Sequence, residues 1–401
     1  MNEVEQTLSR TLGQAAEHAP RMPGLLPSRL EGIHLRRRRR GRMALAAAAV
    51  VLVAGGGVAV VRGGDTITVV PATAQVAETP AARVTEVWPQ AVRKLPAKAP
   101  GGAPWHVTAL IDDRTLLMET STKAGTAGIL YAYDLDAGTQ REIATVSQSA
   151  DTYGFANGFA VGNGRVAWWS SKDSVAHLWT VPLTGGTPKR VADHRLAPSD
   201  DGSAIDQLEV VDDKIVFSVY TGGVFEVPMA DGTVEPVSGG TGMHVLEWPW
   251  IGAPGMGGER KGLLFENIRN VETGETRTAV VHPGEKFRIC GVTICLGQTS
   301  EGETLFRHRD GSSQKSVPGD TPGLRPPTQD RFYVSTYGDI ASMGVGLYDL
   351  ETGKSGDLGL RGEGREQGVS FFSLPSTEPT GRILSYPLGD DLYVIDLAKM
   401  R

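Results

Sequence analysis

The sequence predicts an all-β fold, a seven-bladed β-propeller, preceded by a single transmembrane α-helix and a short cytoplasmic helical segment. Three observations carry the propeller. A small-residue turn recurs at Ala137-Gly138, Gly185-Gly186, Asp231-Gly232, Thr273-Gly274, Asp310-Gly311 and Thr352-Gly353, with the glycines 48, 46, 42, 37 and 42 residues apart, an average of 43. Apolar strands precede most of these turns, as in Ile129–Leu135, His177–Leu183, Val224–Met229 and Val345–Leu350. An earlier hairpin recurs in the units at Leu110–Met118, Ala160–Trp169, Glu209–Phe217 and Thr380–Tyr386. Two hairpins make four antiparallel strands per unit, and such units close into a ring that leaves no long sheet edge bare. Trp105 to Lys399 is 295 residues, which that period divides into about seven units, with six or eight as the neighbouring solutions.

Taken in order, residues 1–42 begin with Val4, Leu8, Leu12, Ala15 and Ala16 at helical spacing, a short amphipathic helix that Pro20, Pro23 and Pro27 interrupt. The segment is too small for a core of its own. It is either a tail that orients the chain or a helix that waits for a partner. It ends in Arg36, Arg37, Arg38, Arg39, Arg40 and Arg42, followed by Met43–Val61, nineteen residues without a charge. At ~1.5 Å rise per residue such a helix reaches about 28 Å, close to the ~30 Å hydrocarbon core of a bilayer. Seven arginines lie in the twenty residues before the run and only Arg62 in the twenty after, which keeps the N-terminus cytoplasmic and places the C-terminal domain outside. Ala72-Thr73-Ala74 has the form of a signal-peptide cleavage site, but it lies far beyond the apolar run, and an uncleaved signal anchor is the favoured reading.

Residues 62–82, rich in Ala and Pro, form an extended stalk, and the propeller domain takes residues 83–401. Units begin near residues 105, 153, 204, 244, 286, 328 and 369. The last contains Asp391–Leu397, the strand before a second hairpin, and then stops, so its outermost strand is missing. A bare edge there invites pairing, and the stalk strand 83–95 is expected to fill it. Residues 1–42 carry nine Arg against four acidic residues, whereas residues 62–401 carry 31 basic against 42 acidic ones. The exported part is therefore acidic, which argues against nucleic acid as a partner.

Leu130-Tyr131-Ala132-Tyr133-Asp134-Leu135 with Ala137-Gly138 resembles the strand and turn of quinoprotein-type and TolB-like propeller repeats. The tryptophan-docking pattern of quinoprotein dehydrogenases does not recur, and Gly-His and Trp-Asp signatures are absent. The whole layout is similar to membrane-anchored proteins of actinobacterial type, some of them anti-sigma-like regulators. The resemblance implies a fold, and a sigma factor as the partner of residues 1–35 where the likeness extends that far. It implies no active site.

Two constellations stand out. Cys290 and Cys295 are the only cysteines and flank a four-residue turn, where a cross-strand pair suits a disulfide; two buried thiols are the alternative. Gly239–Gly258 is aromatic and glycine-flanked, which makes Met243, His244, Trp248, Trp250 and Met256 candidates for a binding loop, or else core between blades. The histidines His106, His177, His194, His282 and His308 show no metal-ligand spacing, and Asp112-Asp113 and Asp212-Asp213 read as hairpin turns. No nucleophile or phosphate-loop motif occurs, and no cofactor is indicated.

The expectation is a single-pass membrane protein that displays a non-catalytic extracytoplasmic propeller for ligand or protein binding. The alternatives are a transmembrane regulator coupling the propeller to the cytoplasmic helix, and an exported propeller enzyme, a lyase or hydrolase.

Overall fold

The structure, a computed structural model, describes residues 59–62, 65–68, 82–121, 127–146, 156–197, 205–255, 262–299, 301–319, 326–338, 343–362, 374–378 and 380–401. All belong to the compact unit Ala49–Arg401. Ala59–Arg62 and Asp65–Thr68 pair as a small antiparallel hairpin. The last three residues of the expected transmembrane helix are thus strand, where the β-branched Val60 and Val61 follow three consecutive glycines and so favour extended backbone. Among the described residues no helix is long and apolar enough to cross a membrane. Residues 43–58, the arginines Arg36–Arg40 and Arg42, and the segment 1–35 lie outside the described residues.

Seven sheets follow in sequence, six of four strands and one of three. The first blade is Trp105–Asp112, Thr115–Ser121, Ala127–Asp134 and Thr139–Thr145. The inner strands of the next blades begin at Asn157, Ile205, His244 and Lys286. In the sixth blade the described part of the inner edge is the bridge Thr328↔Phe332, beside the three strands Phe332–Tyr337, Gly344–Asp349 and Ser355–Arg361. Pro326 and Pro327 have no N–H to donate there, and Gln329 and Asp330 adopt the left-handed backbone of a tight hairpin turn. All six marker glycines have positive φ, from 66° at Gly138 to 141° at Gly186, which explains why a glycine recurs at each outer hairpin.

Each blade packs face to face with two neighbours, so its second strand is apolar on both sides. Val166, Ala167, Trp168, Trp169 and Ser170 are buried in succession. The core therefore lies between blades, as where Leu117 and Leu130 of the first meet Phe159, Val166 and Trp168 of the second. Outer strands face solvent, and Thr139–Glu142 are all exposed.

The ring closes with the start of the domain. Val92–Pro96 pairs with Asp391–Asp396, from Val92↔Ile395 to Pro96↔Asp391, as the outermost strand of the seventh blade. Before it, a single helical turn, Val84–Val87, lies on the outer strand of the sixth blade. Asp357 there accepts bonds from Tyr337 Oη (2.6 Å) and Arg361 (2.8 and 2.9 Å), and Arg83 lies 3.5 Å away. Trp88, fully buried, packs in the core between the last two blades. The entering chain thus staples two blades, where sequence reasoning placed one continuous strand.

Candidate functional site

The inner ends of the blades enclose a cavity of about 540 Å³ with residues from all seven in its wall. A segment of the fourth blade narrows it. Leu264 bridges in parallel to Ile289, on the channel edge of the fifth blade, with Leu264 N–H donating to Arg288 O and Cys290 N–H to Leu264 O, both at 3.0 Å. Phe265 follows with φ 54° and faces the cavity. Arg309, 4% exposed, holds this turn by donating to Phe265 O (2.6 Å), Glu266 O (3.0 Å) and Gly291 O (2.7 Å).

The cavity wall is acidic, and among the described residues no Lys, Arg or His belongs to it. Two of the five carboxylates described there are already committed. Glu378, 4% exposed, accepts the N–H groups of Thr380 (2.8 Å), Arg382 (2.7 Å) and Ile383 (3.1 Å) as well as the Thr380 hydroxyl, and so shapes the inner turn of the seventh blade. Asp206 accepts the Ser218 hydroxyl and bonds His244 Nδ1, each at 2.5 Å.

Three carboxyls remain. Burial pushes Glu209 up, against weak opposition from Gln207 and the Trp248 N–H, which lies 3.3 Å from Glu209 Oε2, and Glu247 adds to the rise. Glu247 is pushed up by burial and then by the negative charge of Asp330. Burial also raises Asp330, opposed by the Thr293 hydroxyl, by the N–H groups of Ile294 and Thr293, and by Arg309. The three form a chain of like charges in one cavity, each displaced toward its neutral form.

Ser218, Asp206 and His244 share residue types with a hydrolytic triad but not its wiring. The carboxylate stands between the other two, so the hydroxyl donates to Asp206 and the His244 imidazole is not placed to take its proton. The Ser218 oxygen itself accepts the Val245 N–H at 3.1 Å. The network is a buried tie between the third and fourth blades. Among the described residues no group of three or more His, Cys, Asp or Glu side chains is disposed to hold a metal ion.

The residues singled out from sequence scatter. The described part of Gly239–Gly258, residues 239–255, is no free loop, because His244–Glu247 and Trp250–Ala253 are the first two strands of the fourth blade, joined by a turn with cis Pro249. Met243 packs beside Val216, Val224 and Ile251, while Trp250 is core and lies under Arg277 at 4.4 Å. Only Trp248 reaches the cavity wall, its Nε1 buried without a partner. Met256 lies outside the described residues. Cys290 and Cys295 are register partners joined by a disulfide.

Glu209, Glu247 and Asp330 were not singled out from sequence. The signal available was an acid within an apolar inner strand, in IDQLEVV and HVLE, and for Asp330 nothing local.

Taken together, fold and site define a seven-bladed propeller with an acidic, ligand-sized central cavity. No protein-family pattern matches this chain, nor does any curated protein. Among solved structures it is similar to an oligogalacturonate lyase of Vibrio parahaemolyticus, at 10% identity over 76% of this chain and 97% of the other, with TM-score 0.45. It is similar too to an uncharacterized protein of Listeria monocytogenes EGD-e, at 13% identity over 77% and 96%, TM-score 0.43. TolB from Acinetobacter baumannii matches at 11% identity over 63% of this chain and 53% of its own, TM-score 0.31. The likeness is one of architecture, and no residue role passes from these proteins to this one.

Proposed function

We propose that this protein is a non-catalytic binding module whose site is the central cavity and whose ligand is a small organic cation. The observation that carries the reading is the cavity wall, in which Glu209, Glu247 and Asp330 converge and, among the described residues, no basic side chain is present. Bringing an ammonium group among them favours the charged carboxylates that burial disfavours, whereas an anionic ligand meets only repulsion. The apolar run Met43–Val61 and the arginines before it support display of the module outside a membrane on a single anchor.

Isothermal titration of spermidine into the full-length protein in detergent micelles tests the site. Saturable binding is expected, weakened at least about tenfold by Glu209→Gln or Asp330→Asn, the loss typical of one charge-assisted contact. Absence of heat at millimolar spermidine, or equal affinity for a sugar acid of similar size, would falsify the reading.

A further inference from the structure

The turn Gly291–Ile294 joins the first two strands of the fifth blade at the cavity, and each of its residues bears on Asp330 or its surroundings. A Cβ at Gly291 would lie 2.8 Å from Asp330 Oδ1, so the absence of a side chain lets the carboxyl approach the turn. Val292 lines the cavity beside it. Thr293 offers its hydroxyl and its N–H to Asp330, and Ile294 donates its N–H to Oδ1 at 3.3 Å. Behind them the carbonyl of Gly291 accepts from Arg309, a cation whose charge this carboxyl feels, while Glu247 of the fourth blade is the anion that feels the carboxyl's own charge.

The disulfide joins the residues immediately before and after this turn, both buried. The hairpin does not depend on it to form, because Gly291 N–H already donates to Ile294 O at 2.7 Å. The backbone around Asp330 is a tight hairpin turn, with Gln329 (φ 54°) and Asp330 (φ 51°) left-handed and Thr328 and Phe332 exchanging backbone hydrogen bonds. The Asp330 carboxyl itself is held from the neighbouring blade, by Thr293 and Ile294.

We propose that the turn Gly291–Ile294, pinned by the Cys290–Cys295 disulfide, is a positioning element that presents Asp330 to the ligand. The proposal rests on the reading of the cavity as a ligand site, and two measurements separate the two. In the first, which needs no ligand, the Asp330 carboxyl is followed by ¹³C NMR against pH in the full-length protein and assigned by its loss in Asp330→Asn. Removing the donors leaves burial unopposed, so the titration midpoint rises by about half a pH unit or more in Cys290→Ala/Cys295→Ala and in Thr293→Val. Thr293 is exposed, so its substitution keeps the fold even where the loss of the disulfide does not.

In the second, spermidine affinity in the same variants falls about three- to tenfold, the loss expected when a contact is no longer pre-organised. A titration curve unchanged in Thr293→Val, or in a folded double-alanine variant, overturns the positioning role. If the curves move but the wild-type protein binds no spermidine, the turn positions Asp330 as proposed and it is the cavity's ligand reading that fails.

Discussion

Glu119 shows how one side chain can set the pH response of the fold. It lies across the strand pair from His106, its Oε2 is buried without a partner, and burial pushes its carboxyl up to about 7. Its folded value lies above the ordinary 4.5, so the native state holds the proton longer than the unfolded chain. Stability therefore declines as pH rises from 4.5 to about 7 and is level above. Glu119→Gln is expected to raise the melting temperature at pH 8, by on the order of 1–3 kcal/mol of stability, and to change little at pH 4. A gain independent of pH would mean that the carboxyl is not the cause. Asp357 behaves in the opposite sense. Burial works against its charge but is outweighed by Arg361, the Tyr337 hydroxyl and the Gly359 N–H, which hold it down to about 2, so its contribution survives until strongly acid pH.

At the scale of elements, the blades repeat more than their glycines. Where the second strand begins, a basic residue faces the acid that ends the third strand in the first, sixth and seventh blades: Arg114 with Asp134, Arg331 with Asp349, Arg382 with Asp396. The fourth blade has Pro249 and Asn270 at the matching places, cation and anion lost together, and Asn270 still accepts the N–H groups of Glu272 and Thr273. Asp349, its side chain without solvent exposure, accepts the N–H of Glu351 in the same manner. Arg331→Ala is thus expected to cost about 3 kcal/mol in denaturant unfolding by leaving a buried charge alone, and Asp349→Asn to restore much of it. Failure of that rescue would assign the loss to arginine packing. Trp88→Ala, which empties the joint between the last two blades, is expected to cost about 3–5 kcal/mol.

These elements were largely legible because turns and strand alternation are local, and the repeat multiplies a weak signal seven times. The inner edge of the sixth blade was less so, since two adjacent prolines and a left-handed pair interrupt the alternation there. The cavity acids escaped for a related reason. Glu209, Glu247 and Asp330 stand far apart in sequence, and only closure of the ring makes them neighbours.

For the whole molecule, the proposed binding of a cation in the acidic cavity would couple ligand to protons. Each carboxyl must be ionised to hold a cation, and all three lie above their ordinary range, so spermidine affinity is expected to rise with pH beyond that range, with protons released on binding. Titrations in buffers of different ionisation heat measure the release directly, and identical apparent enthalpies would show that none occurs. The closing strand has a different consequence. Val92 pairs with Ile395, about three hundred residues later, so the closing strand, made before the rest of the ring, waits for nearly all of it before it finds its place. Until then Val92–Pro96 has no partner strand, and the nascent ring stays open to proteases and chaperones for as long as it takes the final hairpin to emerge.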